Sequence, residues 1–96
     1  MKIHISDSAF ADLQEIKGYY QSQLVPDVSD KFVRKITQHI EILPVKPDKG
    51  RKVPEFNQQK IRELIHPPFR IVYLREISTI HIVRIWRSER LFVLEE

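Results

Sequence analysis

Arginine recurs through the second half of the sequence, where several guanidinium groups could meet on one folded surface. The candidates for contacting an anionic partner are Arg51, Arg62, Arg70, Arg87 and Arg90. Guanidinium groups bind phosphates and carboxylates, so the partner would be a nucleic acid or an acidic protein. Arg70 is the strongest candidate, because it interrupts an apolar stretch. The alternative is that these arginines pair with Glu63, Glu76 and Glu89 on an ordinary charged surface.

The distribution of charge agrees with a basic second half. The net charge of the 96-residue chain is +3, and the excess of Lys and Arg over Asp and Glu lies in residues 46–96. An anionic partner would therefore meet this half of the chain. A solvated basic surface explains the same distribution about equally well.

His81 is the histidine whose position is best defined by the sequence, because it lies inside a strongly apolar predicted strand. Its imidazole could titrate near neutral pH and serve in proton transfer. A lone histidine on a strand is more often a packed or surface residue. His4, His39 and His66 have no recognisable constellation around them.

Several classes of site and location are disfavoured by composition. The chain has no cysteine, which excludes a disulfide framework, a thiolate nucleophile and a thiolate metal site. We expect neither a metal nor a cofactor. The start of the chain has no signal-peptide pattern, and no apolar run approaches the ~20 residues of a spanning helix. We therefore expect a cytoplasmic protein without a membrane partner.

The elements that must position these residues form an α+β domain that spans residues 1–96. Lys2 to Ile5 predicts a strand, and Ser6-Asp7 can cap the helix after it. Apolar residues at helical spacing then predict two helices that pair as an antiparallel hairpin, with Pro44 ending the second. The stretch 44–59 predicts an irregular connection.

Three strands are predicted after this connection, over residues 60–65, 69–75 and 79–87, and the last two form an antiparallel hairpin. The element order is β-α-α-β-β-β, and the helices should cover one face of the sheet and leave the other partly open. Strict alternation would place Arg70 on one face with Val72. It would also place Arg87 on one face with His81, Val83 and Ile85.

Local motifs along nearly the whole chain resemble the RelE/ParE toxin superfamily. They are Ala11-Asp12-Leu13-Gln14-Glu15-Ile16 with Tyr19-Tyr20, Gly50-Arg51-Lys52-Val53-Pro54-Glu55, Ile61-Arg62-Glu63-Leu64, Phe69-Arg70-Ile71-Val72-Tyr73, and Ile82-Val83-Arg84-Ile85-Trp86-Arg87-Ser88-Glu89-Arg90. The resemblance implies the toxin of a type II toxin–antitoxin, or plasmid stabilisation, system. It also implies a cognate antitoxin partner, with operator DNA bound only as a complex with that antitoxin.

Two activities share this fold, so the resemblance leaves two functions open. ParE-like members inhibit DNA gyrase, whereas RelE-like members cleave messenger RNA on the ribosome without a metal. On the nuclease alternative, Arg70 and Arg90 match the family's arginines, and His81 and Arg87 complete the candidate catalytic set. Nuclease members usually carry a Tyr or His acid shortly after the last arginine, but Arg90 is followed by Leu-Phe-Val-Leu-Glu-Glu.

The missing acid and the ParE-like Gly50–Glu55 segment favour a gyrase inhibitor that is not an enzyme. A nucleic-acid-binding module without toxic activity is a third alternative, although interleaved surface aromatics are lacking. In the inhibitor, Leu91 and Phe92 beside Arg90 would form a binding element for the target or the antitoxin. The competing interpretation of this tail is a short edge strand packed on the domain's own sheet.

Overall fold

Two helices and five strands make up the fold in the computed structural model, which describes residues 1–23 and 26–87. In chain order these are β1 (Lys2–Ile5), α1 (Asp7–Ser22), α2 (Pro26–Ile42), β2 (Arg51–Lys52), β3 (Ile61–His66), β4 (Phe69–Arg75) and β5 (Thr79–Arg87). The strand order is β1-β5-β4-β3-β2. β1 runs parallel to β5, and the other neighbours are antiparallel. The predicted α+β class is confirmed.

The sheet is larger than the three predicted antiparallel strands. β1 joins it by pairing in parallel with the first half of β5, from Thr79 to Ile82. The segment predicted to be irregular contributes β2, a two-residue strand against β3. Neither pairing is local in sequence, which is why alternation within each strand could not predict it.

Ser6 links the first strand to the first helix and to the middle of the sheet. Its Oγ accepts a hydrogen bond from the Ala9 backbone N–H at 3.0 Å, which caps α1 as predicted. The same hydroxyl donates to the Val83 carbonyl of β5 at 3.0 Å. One side chain therefore ends β1, starts α1 and fixes the helix against β5.

The helices cover one face of the sheet, as predicted. The main core joins helix and strand residues, namely Ala9, Ile16, Ile36, Ile40, Leu43, Leu64, Phe69, Ile71, Tyr73, Ile80, Ile82 and Ile85. A second, smaller cluster on the other face contains Val53 and Val72, with Ile61, Val83 and Trp86 packed against it. We call this second face the open face.

A β-bulge in β5 changes which residues share a face. Val72 pairs with Arg84 while Tyr73 pairs with Ile82, so Val83 is an extra residue in β5. Ile82 and Ile85 consequently both belong to the helix-covered core, although three positions separate them. The prediction that Val83, Ile85 and Arg87 share a face is wrong, because strict alternation cannot cross a bulge.

Tyr73 anchors the long connection between α2 and β3. Its hydroxyl donates to the Pro47 carbonyl at 2.7 Å and accepts the Gly50 N–H at 3.0 Å. Burial raises the pKa of Tyr73, an effect that the Gly50 N–H partly offsets. A Cβ at Gly50 would lie 2.7 Å from the Tyr73 Oη and from the Glu63 carbonyl oxygen. The close approach of the connection to β3 and β4 therefore requires glycine.

Replacing this glycine should destabilise the domain. We expect Gly50→Ala to lower the free energy of unfolding by about 1–3 kcal/mol, since backbone and a buried ring must move. Gly18→Ala is the matched control, because no atom lies within 4 Å of a Cβ there. In the middle of α1 that change should stabilise by about 0.5–1 kcal/mol. Urea denaturation measures both, and equal effects would contradict the proposed role of Gly50.

Candidate functional site

Arg70 lies in a buried ionic network on the open face. Its Nε donates to the Glu63 carboxylate at 2.7 Å, and Nη1 and Nη2 each donate to the Glu55 carboxylate at 3.2 Å. The Arg70 side chain is 5% exposed and that of Glu63 is 0% exposed. The strongest candidate for anion binding therefore has two carboxylates of the same chain around its guanidinium group.

Glu63 stands between arginines of two neighbouring strands. It is the cross-strand partner of Arg51 in β2, whose Nε donates to it at 2.7 Å. Arg70 in β4 is its diagonal neighbour. Burial disfavours the Arg70 charge, but hydrogen bonds and charge from Glu55 and Glu63 outweigh this and raise its pKa. Arg70 stays charged and is neutralised in place.

Arg62 supports the loop segments on either side of β2. Its Nη1 donates to the Gly50 carbonyl at 2.8 Å, and its Nε donates to the Gln59 carbonyl at 3.0 Å. Asp48 adds a charge contact at 3.5 Å. Arg62 thus pairs with backbone carbonyls and with Asp48 rather than with the glutamates that the pairing alternative named.

A second ionic contact joins α1 to β5. The Asp12 carboxylate accepts hydrogen bonds from Arg84 Nε at 2.8 Å and Nη2 at 2.9 Å. It also accepts the buried Ile85 N–H at 2.8 Å. The hydrogen bonds that Arg84 donates to Asp12 are the main cause of the raised pKa of Arg84. Asp12 thus satisfies the backbone of β5 beyond the segment that β1 covers.

A groove opens beside this contact, between α1 and the end of β5. It has a volume of about 370 Å³ and is lined by Asp12, Glu15, Ile16, Tyr19, Tyr20, Phe69, Ile85, Trp86 and Arg87. Arg87 Cζ lies 5.7 Å from the centre of the Tyr19 ring. The groove combines an aromatic and aliphatic floor with carboxylates on the helix and an arginine on the strand. Such a lining suits an amphipathic segment of another protein.

Of the four candidate catalytic residues, the three that the structure describes, Arg70, His81 and Arg87, are not brought together. Arg87 lines the groove, whereas Arg70 lies on the open face. His81 packs edge-on against His4, its partner in the parallel β1–β5 pairing, with ring centroids 5.5 Å apart. Arg90, Leu91 and Phe92 lie outside the described residues. Within residues 1–23 and 26–87, no three His, Asp or Glu side chains are grouped to hold a metal.

Comparison with known proteins assigns the family. A family model described as "ParE toxin of type II toxin-antitoxin system, parDE" matches residues 3–92. The chain belongs to the ParE toxin family. The chromosomal ParDE toxin–antitoxin system of P. aeruginosa contains a chain of 26% sequence identity and TM-score 0.76. That match covers 91% of this chain and 95% of the other.

More distant solved structures share the fold of this chain. A chain of the E. coli DinJ-YafQ toxin–antitoxin complex is 15% identical, with a TM-score of 0.55. The match covers 96% of this chain and 97% of the other. No curated protein sequence matches at a significant level. The resemblance to the RelE/ParE superfamily is confirmed, and within that superfamily the chain belongs to the ParE family.

In the described part of the chain, no helix is long and apolar enough to cross a membrane.

Two structural carboxylates, Asp12 and Glu55, were missed as partners by sequence reasoning, and only Asp12 had a signal in the sequence. Asp12 lies between Ala9 and Ile16 at helical spacing, so it occupies the buried stripe of α1. A buried carboxylate requires hydrogen-bonding partners, which Arg84 and the Ile85 N–H supply. Glu55 was assigned to a family motif, and its contact with Arg70 depends on how the connection folds over the sheet.

Removal of the Asp12 carboxylate should loosen α1 from β5. We expect Asp12→Ala to lower the free energy of unfolding by about 2–3 kcal/mol, since the buried Ile85 N–H loses its acceptor. Glu15→Ala on the same helix is the control and should change it by less than about 0.5 kcal/mol, because Glu15 is exposed. Hydrogen exchange of the Ile85 amide should accelerate in Asp12→Ala alone. An unchanged exchange rate would contradict the assignment.

Proposed function

We propose that this ParE-family toxin acts by inhibiting DNA gyrase and is neutralised by a cognate antitoxin. The observation that carries the proposal is the neutralisation of two arginines of the sheet, Arg70 and Arg84. Arg70 is surrounded by Glu55 and Glu63, and Arg84 is bound by Asp12. An inhibitor needs a recognition surface and can use its buried charges for stability alone.

The nuclease alternative requires a catalytic arrangement that the described residues do not form. Metal-free cleavage of RNA needs a base, an acid and cations converging on one phosphate. Arg70 and Arg87 lie on opposite faces of the sheet, and His81 faces another histidine. This geometry supports an inhibitor over a ribosome-dependent endonuclease.

Purified toxin should therefore inhibit gyrase and leave messenger RNA intact. We expect loss of supercoiling activity when gyrase is incubated with the chain, and recovery when the antitoxin is added first. Programmed ribosomes incubated with the same preparation should show no new cleavage sites. Specific cleavage without any effect on gyrase would overturn the proposal. Arg70 variants are unsuitable for this comparison, because they would perturb folding as well.

The antitoxin is proposed to occupy the groove between α1 and β5. Tyr19 is 52% exposed and stands at the groove beside Arg87, which offers an aromatic anchor next to a cation. Glu15 places negative charge on the helix side of the same groove, whereas the charge of Asp12 is balanced by Arg84. A segment with apolar anchors, a carboxylate toward Arg87 and a basic residue toward Glu15 would be complementary.

Truncation of the groove's exposed tyrosine should weaken the toxin–antitoxin complex. We expect Tyr19→Ala to reduce affinity by about tenfold or more, since loss of an aromatic anchor costs about 2 kcal/mol. Phe10→Ala is the matched control: Phe10 lies on the same helix and is 56% exposed, but it does not line the groove. Calorimetric titration with the antitoxin measures both. Equal losses, or a loss in Phe10→Ala alone, would place the interface elsewhere.

Gyrase recognition is proposed to involve the chain end that carries Arg90, Leu91 and Phe92. This segment follows β5 directly, and β5 ends at Arg87 in the wall of the groove. Its apolar residues suit a protein interface better than a solvated end. Arg51, with a side chain 62% exposed beside Glu63, is a further candidate contact for the target or the antitoxin. Operator DNA would be bound by the antitoxin complex.

A further inference from the structure

All four histidines of the chain lie in two pairs, and one pair presents its ring nitrogens to each other. His39 near the end of α2 and His66 at the end of β3 approach with Nε2 and Nδ1 3.2 Å apart. Their ring centroids are 4.8 Å apart and their planes are inclined by 49°. Both residues are partly buried, so the protein holds the rings in place.

We propose that His39 and His66 form a two-histidine site for a divalent transition-metal ion such as Zn²⁺, Ni²⁺ or Cu²⁺. Imidazole nitrogens bind Zn²⁺ at about 2.0–2.1 Å, so two ligands of a tetrahedral ion stand about 3.3 Å apart. The observed separation of 3.2 Å is close to this requirement. In the metal-free chain the same two nitrogens share a hydrogen bond, and an ion bound by both would replace the shared proton, which is released to water.

Two lysines lie near His39. The positive charges of Lys49 and Lys35 act on the His39 ring and would oppose a bound metal cation. The affinity of the site should therefore be moderate.

Water would complete the coordination shell. Among residues 1–23 and 26–87, no third His, Asp or Glu joins the pair in a group suited to a metal. Such an open site favours borderline ions with high affinity for imidazole, in the order Cu²⁺ above Ni²⁺ and Zn²⁺. Mg²⁺ and Ca²⁺ prefer oxygen ligands and should not bind there.

A bound ion would connect two parts of the fold that are distant in sequence. His39 belongs to the helical hairpin, and His66 directly precedes the turn at Pro67-Pro68 between β3 and β4. An ion held by both residues binds the folded state in preference to the unfolded chain, so it must stabilise the fold. The site would make the stability of the toxin depend on metal availability, independently of its gyrase or antitoxin contacts.

The second pair provides the matched control. His4 and His81 have ring centroids 5.5 Å apart with planes inclined by 69°, so the contact is edge to face. His81→Ala removes one histidine without touching the proposed site.

The test uses the full chain without a polyhistidine tag, titrated with zinc chloride and followed by calorimetry and thermal melting. We expect one saturable site per chain and a rise in Tm, with no effect of magnesium chloride. His39→Ala and His66→Ala should each weaken binding at least about tenfold and remove the rise in Tm, whereas His81→Ala should retain both.

A second measurement needs no variant and decides the outcome if an alanine variant folds poorly. Nuclear magnetic resonance of the ring nitrogens should show the resonances of His39 and His66 shifting with added zinc before those of His4 and His81. Equal shifts of all four histidines, unchanged affinity in both variants, or no saturable binding at millimolar zinc would each overturn the proposal.

Discussion

The buried contact between Arg70 and Glu63 is the constraint on which the open face of this protein depends. Both side chains lie on neighbouring strands in the middle of the sheet, away from water. A charged side chain stays buried only when its partners replace the hydrogen bonds to water that it has lost. Glu55 must therefore fold over the sheet from the long connection, and Glu63 must also meet Arg51 of β2. The geometry of residues 50–55 follows from this requirement.

The same contact bears on the function that the fold can support. An arginine already bound by two carboxylates offers little attraction to a phosphate unless those carboxylates move. The surface with accessible apolar and charged character lies instead along α1 and the end of β5, where Asp12 replaces a neighbouring strand as the acceptor for Ile85. The domain thus combines a neutralised sheet face with a groove suited to a protein segment, as a toxin controlled by protein contacts requires.

Local sequence patterns predicted the bounds of the strands well. They predicted the register between strands and the contacts between distant residues less well. The bounds of β1, β4 and β5 agree with the predicted strands, because β-branched and aromatic runs are bounded by turn residues. The bulge at Val83 was not predictable, since it depends on the register between β4 and β5. The pairing of Asp12 with Arg84 joins residues that are distant in sequence. Arg70 was singled out as the strongest candidate for anion binding, and in the structure its guanidinium group is bound by Glu55 and Glu63, which local patterns did not indicate.

A double-mutant cycle on Arg70 and Glu63 tests this account most directly. Arg70→Met and Glu63→Met should each lower the free energy of unfolding by up to about 3–5 kcal/mol, because each leaves a buried charge without one of its partners: Glu63 keeps Arg51, and Arg70 keeps Glu55. The double variant should lose clearly less than the sum of the two, with a coupling energy of about 2 kcal/mol or more. Urea denaturation of the four proteins gives the result. Additive losses would contradict the claim that this pair organises the open face.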